Sequence, residues 1–422
     1  MRLPALLVAL AASASLALAQ QPLAAGKNSC VECHANLEDN LGHPTKVFEN
    51  DIHAQNGFTC VDCHGGDPSS DDMEVSMSPA RGFLGKISRQ RTPEMCGRCH
   101  SDPNVIHKFK PQQRVDQLVQ YRTSMHGKRL AAGDERAANC IDCHSVHDIR
   151  EVRHALSPVH PLKLPETCGK CHADGEHMSG NEIPTTQLAD YQQSIHWQVI
   201  SKTGDLSAPT CTTCHGNHGA TPPGVNDVSH VCGTCHVVFQ KLFDESPHHP
   251  AFEAMDLPAC VACHGNHKVL SPQAEMLGVS AGAVCLDCHS EGDEGYKTAA
   301  GMKQSLDKVR TALHDSQALL DRAEQSGMEV SEARLQWNDA HEQLIKARVQ
   351  VHAFKLEPVD EAVNEGMKLA AGSHEKGQAA LEERDFRRLG LAVALLAIAL
   401  TMAGLWMAVK YVDSRSGGGG SP

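Results

Sequence analysis

Aromatic residues make up only 4% of the 422-residue chain, including 3 tryptophans and 4 tyrosines. So little aromatic surface excludes a conventional apolar core running the length of the molecule. Isolated cysteine is absent too. All 18 cysteines fall in C-x-x-C pairs, which rules out odd reactive thiols and ordinary core cysteines, and none lies beyond Cys288. Positive charge is in deficit, with 38 Lys and Arg against 51 Asp and Glu and a formal charge of −13. That balance argues against nucleic acid and anionic membrane surfaces as partners and favours basic ones.

The cysteine pairs are Cys30 with Cys33, Cys60 with Cys63, Cys96 with Cys99, Cys140 with Cys143, Cys168 with Cys171, Cys211 with Cys214, Cys232 with Cys235, Cys260 with Cys263 and Cys285 with Cys288. Disulfide frameworks, zinc ribbons and c-type haem attachments all use paired cysteines, but only the last requires a histidine directly after the second one. His34, His64, His100, His144, His172, His215, His236, His264 and His289 fill that position in every pair. At this histidine content, nine coincidences have odds on the order of 10⁻¹¹, so the pattern reads as nine covalent haem c sites. In each, two thiols add across the vinyl groups of one haem and the adjacent histidine becomes the proximal iron ligand. At about 29 residues per haem, the porphyrins themselves must supply much of the core. The expected fold is mainly α with extensive loops and little β-structure.

"MRLPALLVALAASASLALAQQ" carries Arg2, an apolar run to Ala19 and an A-x-A site, which reads as a signal peptide over 1–19. Export agrees with haem c, whose attachment takes place outside the bacterial cytoplasm. Leu389 to Val409 is free of charge, flanked by Arg387, Arg388 and Lys410, and long enough to cross a bilayer as a helix. Flanking charge on both sides leaves orientation undecided, but the haems put the N-terminal side in the periplasm and leave only 410–422 for a short cytoplasmic tail.

Between these ends lies a repeat. The pattern aromatic-x-x-Ser/Asp-x-His occurs at "FENDIH", "YRTSMH", "YQQSIH" and "FDESPH", ending at His53, His126, His196 and His248. Each precedes a haem motif, and in three units a further histidine, His147, His218 or His267, stands three positions past that motif's proximal histidine. A second motif, "CGRCH", "CGKCH", "CGTCH" or "CLDCH", closes each unit. Residues 20–298 are thus expected to form one nine-haem domain, a leading site followed by four two-haem repeats. Histidines in register with the haems are the natural sixth iron ligands, so His53, His126, His147, His196, His218, His248 and His267 are the distal candidates. His43, His107, His160, His177, His230 and Met178 compete for the two remaining positions. The aromatic of each pattern is expected on one helix with its histidine.

Residues 299–388 change character, with apolar positions at heptad spacing. Leu306, Val309, Leu313, Leu320 and Ala323 mark one helix, and Trp337, Ala340, Leu344, Ala347, Val351 and Phe354 a second. A third begins near Pro358 and runs on into the 389–409 span. This segment reads as a helical stalk, and the four histidines from His314 onward read as solvated.

The elements "YxxSxH", "CHGGDP", "CHGNHGATPPG" and "CGxCH" resemble the bacterial multihaem c-type cytochromes with tetrahaem and doubled C-x-x-C-H domains, from about Lys27 to Gly295. The helical tail and anchor look like a membrane-attached branch of that group. The resemblance implies closely packed haems, mostly with two histidines per iron, that pass electrons along the chain. The function expected is electron transfer without a catalytic residue. Its partners would be a membrane quinol-linked or b-type cytochrome donor and periplasmic or outer-membrane acceptors. The alternative is reduction of a small nitrogen or sulfur oxyanion at one open haem. Against it, no motif ends in lysine.

Overall fold

The computed structural model describes residues 28–222, 224, 225 and 227–416; the expected signal peptide and residues 417–422 of the tail lie outside them. Helices and turns make up all the regular structure, and there is no strand among the described residues. The chain divides into two compact units, Met1–Val225 and Asn226–Pro422. The first contains six C-x-x-C-H motifs. The second contains three, together with the long helices that follow them.

In the first unit most helices span 4 to 9 residues, as in Cys60–His64 and Leu164–His172, shorter than an isolated helix needs for stability in water. Among the described residues, the buried apolar side chains there include Leu130, Ala137, Leu164, Tyr191 and Ile200. So small an apolar core cannot fix this many short helices, and the haem motifs around which they are arranged must carry much of the packing.

The second unit has a core of its own. Helices Glu294–Gln325, Ser331–Gln350 and Leu356–Ser416 pack into an antiparallel three-helix bundle. Val309, Leu313 and Leu320 interleave with Ala340, Leu344 and Ala347 and with Val359, Val363 and Leu381. The many alanines at these positions let the helix axes approach closely. Polar groups in this core are paired: Ser316 Oγ donates to Ser373 Oγ at 3.0 Å, Ser373 Oγ to the Ala333 carbonyl at 2.8 Å, and Trp337 Nε1 to the Leu313 carbonyl at 2.9 Å.

Gly327, in the left-handed region at φ 78°, turns the chain after the first long helix. The second helix ends earlier than its apolar stripe suggests. Val351 falls in a 3₁₀ turn, Val351–Ala353, and Phe354 adopts a left-handed conformation at φ 50° instead of continuing the helix. The third helix is unbroken over 61 residues, with Pro358 tolerated in its first turn. Among the described residues it is the one helix long and apolar enough to cross a bilayer. Its side chains from Leu389 to Val412 are exposed, and Lys410 and Arg415 lie over the rings of Trp406 and Tyr411 at 4.8 Å, the cation and aromatic pairing typical of a membrane boundary.

Leu320 is fully buried far from the Val351–Phe354 corner. Leu320→Ala should therefore lower bundle stability by about 2–5 kcal/mol. The check is an earlier far-ultraviolet melting transition, with the visible haem spectrum unchanged at room temperature.

Candidate functional site

The motifs fall into two structural classes. In the first, the helix is one turn long and the residue after the proximal histidine has positive φ: Gly65 (68°), Ser145 (71°), Gly216 (75°) and Gly265 (71°). At Gly65 a Cβ would meet the Gly82 carbonyl oxygen at 2.0 Å, so the position excludes a side chain. The first three of these helices start from a capping box, as when Asp62 Oδ2 accepts from the Thr59 amide at 2.6 Å.

In the second class, represented by Thr92–His100 and Leu164–His172, the helix is longer, with proline in its first turn. The glycine of "CGRCH" and "CGKCH" is required by packing. A Cβ at Gly97 would lie 2.4 Å from Leu118 Cδ2, and one at Gly169 would lie 2.4 Å from Leu188 Cδ2. Both leucines sit on the helix that leads to the next aromatic-x-x-Ser-x-His element.

That element is not one helix. The chain breaks at its Ser or Asp, which caps a new helix carrying the histidine near its start. Ser124 Oγ accepts from the Gly127 amide at 3.1 Å, Ser194 Oγ from the Trp197 amide at 3.1 Å and Asp51 Oδ1 from the His53 amide at 2.8 Å. All three caps are buried. The expectation of a shared helix for aromatic and histidine therefore gives way. In two of the repeats the tyrosine instead reaches the backbone just before the following motif: Tyr121 Oη donates to the Ala138 carbonyl at 2.8 Å, and Tyr191 Oη to that of Pro209 at 2.9 Å.

The histidines come together in pairs. Ring centroids lie 6.0 Å apart for His53 and His100, 6.1 Å for His64 and His147, 5.9 Å for His126 and His172, and 6.0 Å for His144 and His218. In the second unit His248 and His289 lie at 6.0 Å, as do His264 and His352. A metal–imidazole bond is about 2.0–2.1 Å, and the nitrogen lies about 1.1 Å from its ring centroid, so two rings on one iron stand roughly 6.2 Å apart. The observed pairs fit that spacing.

Tautomers fit as well. Nδ1 donates to a backbone carbonyl in His34 (Leu41, 3.0 Å), His64 (Gly85, 3.2 Å) and His352 (Val349, 3.1 Å), and faces a carboxylate in His53 (Asp51, 2.9 Å) and His289 (Asp293, 3.3 Å). With Nδ1 so engaged, the Nε2 lone pair is available to a metal. Burial pushes His100, His126, His147, His172, His218, His248, His264 and His352 below the usual imidazole value, and His144 down to about 4, which keeps them in the neutral, ligating form. Asp51 accepts from both His53 and the Ile149 amide. Burial alone would raise its carboxyl, but these bonds outweigh it and hold the group low.

The pairs obey a rule. In each of the three observed cases, the histidine of the aromatic-x-x-Ser/Asp-x-His element faces the motif that closes its own repeat. His147 and His218, three positions past a proximal histidine, each face the first motif of the preceding repeat. The ring planes differ accordingly, at 89°, 60° and 78° for the within-repeat pairs and 22° and 12° for the cross-repeat pairs. His196 and His267 occupy the same registers in their repeats, and both are engaged by neighbours.

His107 Nε2 is taken by the Gln113 carbonyl at 3.1 Å, and His230 Nδ1 is bonded to Ser229 Oγ at 3.1 Å. The residue missed by sequence reasoning is His352, expected to be solvated on a helix and found half-buried in a corner opposite His264. Its neighbours carry no motif, and only the missing partner of the last first-class motif pointed to it.

None of the eighteen cysteines forms a disulfide. They are not equally enclosed, although the sequence gives all of them the same covalent role. Cys33, Cys235 and Cys288 are exposed, whereas the other fifteen are half-buried. Cys235 and Cys288 each directly follow a 3₁₀ turn, Val228–Thr234 and Val284–Asp287, in place of lying within an α-helical turn as Cys63 and Cys143 do. Cys33 belongs to the leading motif, which no earlier motif flanks. Cys214, the second thiol of the Cys211–His215 helix, is half-buried and engaged by a neighbour. Thiols of consecutive motifs come within hydrogen-bonding reach at three places, Cys96 with Cys140, Cys168 with Cys211 and Cys232 with Cys260.

The capping serines are testable. Ser124→Ala should cost about 0.5–2 kcal/mol, whereas Ser124→Asp, which copies Asp51, should restore most of it. Thermal melts of the two variants provide the measurement.

No curated relative and no solved structure matches the chain. A family model described as cytochrome c3 matches residues 52–173. Within that stretch lie two complete repeats' worth of motifs, from Cys60 to His172, and the facing histidines His53, His126 and His147. Paired imidazoles at the spacing of a shared iron fall within the same residues 52–173 that are similar to cytochrome c3, which supports a multihaem c-type cytochrome over that stretch.

Proposed function

We propose that the protein is a nine-haem electron relay tethered to the cytoplasmic membrane by the helix through Leu389–Val409, with its haems on the periplasmic side. It would carry electrons between a membrane quinol-linked or b-type cytochrome donor and periplasmic or outer-membrane acceptors. Each C-x-x-C-H motif holds one haem through two thioethers and its proximal histidine, Cys33, Cys214 and Cys235 included, and the haem iron supplies the one-electron ferric/ferrous couple. His53, His126, His147, His218 and His248 act as sixth ligands opposite the rings they face, and His196 and His267 take the same part by register.

The observation that carries this reading is the set of histidine pairs at 5.9–6.1 Å. An iron with both axial positions closed transfers electrons without binding a substrate. The serial thiol contacts support close haem spacing. The protein's own residues set ligand basicity through the Nδ1 hydrogen bonds and limit water access through burial.

Intact-mass analysis should find nine haems, and seven or fewer would sink the proposal. Ring-plane angle controls the symmetry of the ferric d-orbitals. Electron paramagnetic resonance of the oxidised protein should therefore show two low-spin classes, rhombic signals from near-parallel pairs such as His144 and His218 and strongly anisotropic ones from near-perpendicular pairs such as His53 and His100. Deleting 389–409 should release the protein from membranes with its haem count intact.

A further inference from the structure

We infer that His352, on the corner between the second and third long helices, is the sixth iron ligand of the haem held by Cys260, Cys263 and His264. The three-helix bundle is then the part that completes the haem array, and more than a spacer. This rests on the bis-histidine reading above and extends it to a residue outside the repeat.

The repeat creates the need. In the first unit His64 and His144 are each faced by a histidine from the following repeat, His147 and His218. His264 belongs to the last repeat, so no following one exists to serve it. The bundle corner fills the place with the same geometry. The rings of His264 and His352 are 6.0 Å apart and inclined by 14°, within the range of the cross-repeat pairs and unlike the steep within-repeat ones.

The corner is built to present this ring. His352 Nδ1 donates to the Val349 carbonyl at 3.1 Å, leaving the Nε2 lone pair as the one available to a metal. Phe239 packs edge-on against the imidazole at 4.8 Å. Two residues on, Phe354 holds a left-handed backbone at φ 50°, a conformation unfavourable for a non-glycine residue. Its ring is thereby laid on His248 at 3.8 Å, and His248 faces His289. One turn of chain therefore touches the sixth-ligand side of both final motifs. The other bundle histidines do nothing similar: His314 and His374 are exposed, and His341 stacks on Trp337.

The test uses the full-length protein in detergent. His352→Ala should keep its full haem mass, gain a ferric high-spin component equal to one haem, and bind carbon monoxide at one haem when reduced. His341→Ala should leave the spectrum unchanged. A fully low-spin His352→Ala protein that does not bind carbon monoxide would make His352 a structural turn residue and overturn the inference. If His352→Ala fails to accumulate, His352→Met carries the test. It should stay low-spin, add a methionine–iron charge-transfer band and raise the potential of one haem, and absence of that band overturns the proposal. Failure of the broader reading is distinguishable, because then the wild-type protein itself would lack low-spin haem or the expected haem mass.

Discussion

Pairs of imidazole rings about 6 Å apart, most of them half-buried and several with Nδ1 held by a carbonyl or carboxylate, form the contacts around which the short helices are organised. A pair at that distance has almost no direct attraction, since the rings are too far apart for van der Waals contact at the nitrogens. With the proposed haem iron bonded to both rings, the pairing would link protein segments through the iron. Where the partners come from different repeats, as with His64 and His147 or His144 and His218, such ligation would also fasten one repeat to the next. Fold and electron path would then have the same connectivity.

The supporting residues follow from that demand. A histidine presented near a helix start needs the start fixed, and a buried Ser or Asp cap does this in three of the four repeats. A second-class motif must accept the helix leading to the next capped histidine, so Gly97 and Gly169 leave room for Leu118 and Leu188. First-class motifs must turn the chain sharply after the proximal histidine, hence the positive φ that glycine supplies three times and Ser145 once at some strain.

The C-x-x-C-H motifs were legible in the sequence because their two cysteines and histidine are contiguous along the chain. Their unequal enclosure was not, because whether a second thiol such as Cys33 or Cys235 faces outward depends on the turn type and on which segments flank the motif. The helical character and the three long helices were legible from heptad spacing, and the register of His53 or His126 from the repeat. What stayed hidden depends on contacts between distant segments. Sequence register shows that His147 recurs without revealing that it faces His64. The aromatic-x-x-Ser/Asp-x-His element hides its own break, because a capping serine and a helical serine look alike until the backbone is seen. His352 lies two residues past the second helix with no motif around it, and Phe354 fits a heptad stripe that the chain in fact abandons.

The bundle's length constrains how electrons reach the second unit. The third helix runs without interruption from Leu356, beside the His352 corner, to Leu389, where the exposed apolar segment begins. That is about 33 residues, or ~50 Å of helix. Electrons cross protein only over much shorter gaps. If the apolar segment lies in the bilayer, the sites around His264 and His289 are held well away from a lipid-dissolved quinol along this helix. They would then be served by a protein donor that itself rises from the membrane, or by the motifs that precede them in the series. A rigid bundle suits such an arrangement, because its paired core serines and interleaved alanines would hold the His352 corner at a fixed distance from the apolar segment.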